Sequence, residues 1–159
     1  DLPAVYGYKA GETSPSAEEK VMVKLKDFQD KKWVALCFYA VDSSPEDTRL
    51  MVTFNEWNRK FKTREVELMG CSWNGENAHQ QFIEVYQMGF TLLADEYKKV
   101  TDLYGVIKEE DDLGQMVKVI ERSTFLIDKT GMIRAVWRNI EDFREHPKEV
   151  WDVIQKEKK

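Results

Sequence analysis

Ser44-Pro45-Glu46-Asp47 sets a hydroxyl, a proline and two carboxylates at the head of a helix-like run. The run directly before it, Trp33-Val34-Ala35-Leu36-Cys37-Phe38-Tyr39, is apolar and strand-like. A strand that feeds a helix N-terminus is a place for chemistry, because free backbone N–H groups and the helix dipole there favour negative charge. Ser44 fits the N-cap, Pro45 the first helical residue and Asp47 the third, so Ser-x-x-Asp is close to a capping box. An acid there stabilises a helix by about 0.3–1 kcal/mol. It is a poor nucleophile, so the residue types predict a stabilising rather than a catalytic Asp47.

The nucleophiles are Cys37 and Cys71. They form no CxxC pair, and both fall in β-like runs. Cys37 is expected as an inert core thiol. Cys71 stands near the end of its strand, before Ser72-Trp73-Asn74-Gly75, and is expected to be the more accessible. His79 and His146 are isolated and are expected at the surface or as caps. No metal-ligand spacing joins them to the cysteines, so no metal and no cofactor is predicted.

Hydrophobic and polar periodicity supplies the frame. Val21, Val23 and Leu25 alternate with polar residues and Met22, as in a half-exposed strand. Trp33 to Tyr39 reads as a strand buried on both faces. Leu50, Phe54, Trp57 and Phe61 mark the inner face of the helix that starts at Pro45. Val66 to Cys71 is the next strand, and a helix from Glu76 or Asn77 turns Ala78, Phe82, Val85 and Tyr86 inward. Phe90 to Ala94 is a short strand. A helix from Lys98 to Tyr104 stops at Gly105. Glu109-Glu110-Asp111-Asp112 reads as an acidic loop. Arg122 to Asp128 and Met132 to Arg138 form a hairpin around Lys129-Thr130-Gly131. Pro147 opens the last helix, with Val150, Trp151 and Ile154 inward. The order β-β-α-β-α-β-α-β-β-α predicts an α/β, thioredoxin-like fold: a mixed central sheet with helices on both faces.

The 159 residues suffice for one domain with a core. Residues 1–19 read as an extended N-terminal arm and residues 20–159 as the domain. Hydrophobic content of 42% and charged content of 33% fit a globular chain, and a net charge of −5 argues against a nucleic-acid binder. No apolar run is long enough to span a bilayer.

Several segments, in consistent order over residues 20–157, resemble the peroxiredoxin family, and within it the peroxiredoxin Q or bacterioferritin comigratory protein group. Phe38-Tyr39-Ala40-Val41-Asp42-Ser43-Ser44-Pro45-Glu46-Asp47 lies over that group's FYPKDDTPGC. Gly70-Cys71-Ser72 with Ala78-His79-Gln80-Gln81-Phe82 resembles GVS…SHKKF, and Leu103-Tyr104-Gly105-Val106 its YGV segment. Ile120 to Asp128 with Lys129-Thr130-Gly131 resembles the late strand pair. The resemblance implies a thioredoxin-like fold. It also implies that Asp47 stands where the peroxidatic cysteine stands, Val52 where the resolving cysteine stands, and Arg122 where the active-site arginine stands. Ser44 keeps a hydroxyl in place of threonine.

With both cysteine positions replaced, peroxidase activity is not expected on this reading. The expected function is a non-catalytic, pseudoenzyme-like structural or binding subunit of a larger assembly. Its degenerate site would be Asp47, Ser44 and Arg122, with Asp47 paired to Arg122. A protein partner would be met by Tyr6, Tyr8, Trp73 and Trp137. Plastid members of the group point to an organelle, the chloroplast, with a soluble cytoplasmic protein as the other expectation. The alternative is a residual thiol-dependent oxidoreductase or peroxidase that uses Cys71.

Overall fold

A computed structural model describes residues 2–7 and 21–158. Nine strands are present among them: β1 (Leu2–Val5), β2 (Val21–Val23), β3 (Trp33–Phe38), β4 (Val66–Ser72), β5 (Thr91–Ala94), β6 (Ile107–Asp112), β7 (Gln115–Ile120), β8 (Ser123–Ile127) and β9 (Ile133–Trp137). The helices are α1 (Pro45–Thr63), α2 (Glu76–Tyr86), α3 (Lys99–Leu103) and α4 (His146–Glu157).

Seven strands form one sheet in the order β2-β1-β5-β4-β3-β8-β9. β3, β4 and β5 run parallel, and β1, β8 and β9 join antiparallel. β3 is central, and all six of its residues are buried, which accounts for its unbroken apolar sequence. Because successive side chains alternate, it feeds two cores. Ala35, Cys37 and Tyr39 pack with α1, α2 and α4 through Leu50, Met51, Phe54, Phe82, Ile83, Val150 and Ile154. Leu36 and Phe38 pack on the other face with Cys71, Val106, Ile120 and Phe125, covered in part by Trp73, Val100 and Tyr104. The predicted mixed sheet with helices on both faces is therefore the observed architecture.

Gly70 serves this packing directly. A β-carbon there would stand 2.5 Å from the Met51 Cε and 2.8 Å from a Leu92 methyl, with the Tyr39 ring at 3.1 Å. No side chain fits there without shifting the Met51 and Leu92 side chains out of their packing. In the β8–β9 turn, Gly131 takes φ +90°, as its place in the hairpin required. Asp128 fixes that turn by accepting from the Thr130 amide, the Thr130 hydroxyl and the Met132 amide.

Three expectations about the elements are corrected. Residues 1–19 do not all stand apart as an arm: Leu2–Val5 pairs with both β2 and β5, and Ala4 is buried. Residues 8–19, Tyr8 among them, and the expected boundary after residue 19 lie outside the described residues. The acidic loop is instead strand β6, paired over its whole length with β7. Leu113 and Gly114 turn that hairpin with φ of 52° and 86°, the left-handed pair that a two-residue loop needs to match strand twist. On α2 the buried residues are His79, Phe82 and Ile83, whereas Val85 and Tyr86 are exposed. They occupy the last turn, and only the Tyr86 ring leans back on Phe82, at 5.5 Å.

Candidate functional site

The loop from Ala40 to Ser44 leaves the end of β3 and delivers the chain to α1. Ser44 is the N-cap, with extended backbone and its Oγ accepting from the Asp47 amide at 3.2 Å; Pro45 takes the first turn, where no amide is needed. The Ser44 hydroxyl donates to Asp47 Oδ2 at 2.6 Å. The same carboxylate accepts from the Ala40 amide and the Val41 amide, each at 3.1 Å. Arg122, just before β8, closes the cradle: its Nε donates to Oδ1 at 2.8 Å and its Nη2 to Oδ2 at 3.1 Å.

Asp47 is thus fully buried with five side-chain and backbone donors on its two oxygens. This is a concentrated anion cradle: a helix start, two loop amides, a hydroxyl and a guanidinium converge on one point. Arg122 is about a quarter exposed, and its guanidinium lies 5.4 Å from the Phe143 ring centre. The Asp47 hydrogen bonds hold it still more firmly protonated than a free arginine.

A second polar network braces the loop from behind. Asp42 Oδ2 stands 2.6 Å from His79 Nδ1, the Tyr39 hydroxyl donates to Asp42 Oδ1, and His79 Nε2 lies 2.8 Å from the Leu93 carbonyl. The Asp42 amide donates to Asn74 Oδ1 at 2.8 Å. These contacts tie the Ala40–Ser44 loop to α2, β5 and the loop after β4. Sequence reasoning missed them, since Asp42 and His79 are 37 residues apart with no motif in common. The expectation that both histidines are surface or capping groups is corrected. His79 is fully enclosed, and His146 is buried with its Nε2 at 2.8 Å from the Thr124 hydroxyl. His79 is retained in the core because Asp42 and the Leu93 carbonyl satisfy both of its ring nitrogens.

Neither thiol is activated. Burial pushes the Cys37 thiol up to about 12, offset in part by a Thr124 hydrogen bond. Cys71 is raised well above the usual thiol value, first by burial and then by the charge of Asp95. Cys71 is fully buried, so its expected accessibility is corrected. The reason is Trp73, two residues on and on the same face, with Tyr104 in the same cluster. Cys37 and Cys71 lie on opposite faces of the sheet: Cys37 pairs in register with Gly70, and Cys71 with Phe38.

The aromatic residues expected to meet a partner are not gathered in one place. Tyr6 is exposed beside Val66, at the start of β4, whereas Trp73 follows its other end. Trp73 is half-buried, with its Nε1 donating to Thr101 Oγ1 at 2.9 Å. Trp137 is half-buried on β9, edge-on to His146 at 5.6 Å. Among the described residues, no group of three or more His, Cys, Asp or Glu side chains is placed to hold a metal ion, and no helix is long and apolar enough to cross a membrane.

The AhpC/TSA family model matches residues 7–136. A putative peroxiredoxin bcp of Coxiella burnetii is 37% identical over 134 residues, covering 84% of this chain and 88% of that protein. A chloroplastic peroxiredoxin Q of Sedum lineare is 32% identical over 133 residues, covering 84% and 68%. The solved bacterioferritin comigratory protein of Xanthomonas campestris, described through its alkyl peroxide reduction activity, superposes with a TM-score of 0.83 at 26% identity, over 88% of each chain. The chloroplast belongs to the name of the plant relative, and the bacterial relative is the more similar of the two. These relatives also correct the expected function. They carry the names of peroxiredoxins, which are thiol peroxidases, and nothing found beside them supports a non-catalytic structural subunit. From the span of the family match and the identity to its relatives, the chain belongs to the AhpC/TSA family, in the peroxiredoxin Q/Bcp group.

Proposed function

We propose that the protein is a slow thiol-dependent peroxide reductase whose working thiol is Cys71. In this reading Asp47 fills the place that the reactive cysteine holds in the relatives. The observation that carries the class is the peroxiredoxin identity of those relatives, one of them described through alkyl peroxide reduction. The reading of Asp47 is supported by the cradle around it, since two amides, a hydroxyl and an arginine at a helix start are what would stabilise a thiolate. A carboxylate in that cradle cannot attack an O–O bond and cycle through a sulfenic acid.

Peroxide reduction then falls to a sulfur elsewhere. Both cysteines are penultimate in their strands, but Cys71 faces the side covered only in part by the half-buried Trp73 and Tyr104, whereas Cys37 faces the side packed under α1. The Cys71 thiolate would attack a peroxide oxygen, leaving a sulfenic acid and releasing an alcohol or water; one external thiol would condense with the sulfenic acid to a mixed disulfide and water, and a second would release the Cys71 thiol and the external disulfide. Cys37 faces the other side of the sheet, so it is not placed to resolve that intermediate internally. The surroundings of Cys71 are Phe38, Val106 and Phe125, which favour organic hydroperoxides over hydrogen peroxide. Its raised pKa keeps the thiolate scarce, so the reaction is slow and accelerates with pH.

The test is treatment with cumene hydroperoxide in the presence of dimedone, followed by mass spectrometry of the peptides. A dimedone adduct on Cys71 is expected. A protein that stays unlabelled, or labels on Cys37 alone, overturns the reading.

A further inference from the structure

Cys71 has no exposed surface, yet the segment over it is built as a separable piece. α3 has only five residues and is bounded by two left-handed positions, Lys98 at φ 59° and Gly105 at φ 69°. Tyr97 and Leu103 are 85% and 81% exposed, and the apolar anchors of the segment are Val100 and the Tyr104 ring, which lies 5.2 Å from Phe38 and 5.0 Å from Phe125. The rest of its hold is polar. The buried Asp95 carboxylate accepts from the Lys99, Val100 and Thr101 amides and from the Thr101 hydroxyl, at 2.8–3.2 Å. The Thr101 hydroxyl in turn accepts from the Trp73 indole N–H at 2.9 Å. The Lys98 ammonium stands over the same indole, 4.3 Å from its centre.

We propose that residues 97–105 and the Trp73 side chain form a lid over Cys71, and that the Trp73–Thr101–Asp95 hydrogen-bond chain is its latch. The Thr101 hydroxyl is the one group in the chain that contacts both sides, donating to the fixed carboxylate and accepting from the indole on the strand end. Losing it removes the hydrogen bond between Trp73 and α3, leaving only the Lys98 ammonium on the indole, and keeps the Asp95 contacts to the three amides in place. Local opening, not global unfolding, then sets the rate at which a reagent reaches the sulfur. This regulates the site proposed above and takes its biological meaning from that reading. The access rate itself is independent of any peroxide chemistry.

The experiment is a time course of N-ethylmaleimide modification of the native full chain, resolved by peptide mass spectrometry, with Cys37 as the internal reference. Thr101→Val keeps the shape and removes both hydrogen bonds of the hydroxyl. It should speed modification of Cys71 by about tenfold with Cys37 unchanged, in line with the loss of a buried hydrogen bond. Thr101→Ser restores the hydroxyl and should return the parent rate. Trp73→Phe keeps an aromatic ring without the N–H and should also accelerate Cys71, which keeps the test valid if Thr101→Val does not fold. The proposal is overturned if Cys71 reacts at the parent rate in Thr101→Val and Trp73→Phe, or if Cys37 accelerates in step with Cys71. Absence of peroxide turnover in the same preparation would count against Cys71 as the working thiol and leave the latch standing.

Discussion

Arg122 reaches across 75 residues of sequence to grip both oxygens of Asp47, with Nε at 2.8 Å and Nη2 at 3.1 Å. The pair joins the entry of β8 to the first turn of α1. The carboxylate is wholly enclosed and the guanidinium is partly wet, so the two ends of the bridge are not equivalent. Asp47 depends on its partner for compensation of a desolvated charge, whereas Arg122 retains solvent.

Removing the arginine alone should therefore be costly. Arg122→Met leaves a buried carboxylate with only amide and hydroxyl donors, and is expected to lower unfolding stability by about 3 kcal/mol. Ser44→Ala, which loses the cap and one donor, should cost about 1 kcal/mol. Urea unfolding at neutral pH checks both. The double variant Asp47→Asn with Arg122→Met should be more stable than Arg122→Met alone; equal stabilities would show that the stranded charge is not the source of the loss.

Placing sulfur in the cradle tests what the cradle is for. In Asp47→Cys a thiol would replace the carboxylate at the helix start, beside Arg122 and Ser44. Those groups favour the thiolate, so hydrogen peroxide consumption should rise about a hundredfold above the parent, independent of Cys71. A rate equal to the parent's would mean that the start of α1 is not where a reactive cysteine belongs in this chain.

His146 predicts an acid-side loss of stability. Burial pushes its folded-state pKa down from 6.5 to about 4. The unfolded chain therefore binds a proton between these values that the folded chain refuses. The contribution of this group is intact above about pH 6.5 and falls as the pH drops toward 4, by up to about 3 kcal/mol. His146→Gln, which keeps a polar partner for Thr124, should show a shallower decline in urea midpoint between pH 7 and 4.5. Parallel declines in parent and variant would exclude His146 as the cause.

What could be read in advance follows from whether the signal is local. β3, α1 and the β8–β9 hairpin were legible because burial on both faces, a capped amphipathic stripe and a glycine turn are written in adjacent residues. The β6–β7 hairpin was not. Its first strand carries the acidic run Glu109 to Asp112, and its turn is Leu113-Gly114, without the asparagine or aspartate that usually marks a left-handed pair. β1 was hidden because its four residues become a strand only through their pairing with β5 and β2, distant in sequence. In the site, spacing alone offered Ser44 and Asp47 as a cap. Arg122 was added by resemblance, and its contact with Asp47 had no local signature. The Tyr39–Asp42–His79 network was invisible for the same reason, as each partner looks like an isolated polar residue until the sheet brings them together.

The most direct measurement is steady-state consumption of cumene hydroperoxide by the parent protein with an external thiol reductant, beside Cys71→Ser and Cys37→Ser. Slow turnover by the parent, rising with pH, lost in Cys71→Ser and kept in Cys37→Ser, is the predicted result. Absence of turnover in the parent, or turnover that survives in Cys71→Ser, would contradict the account.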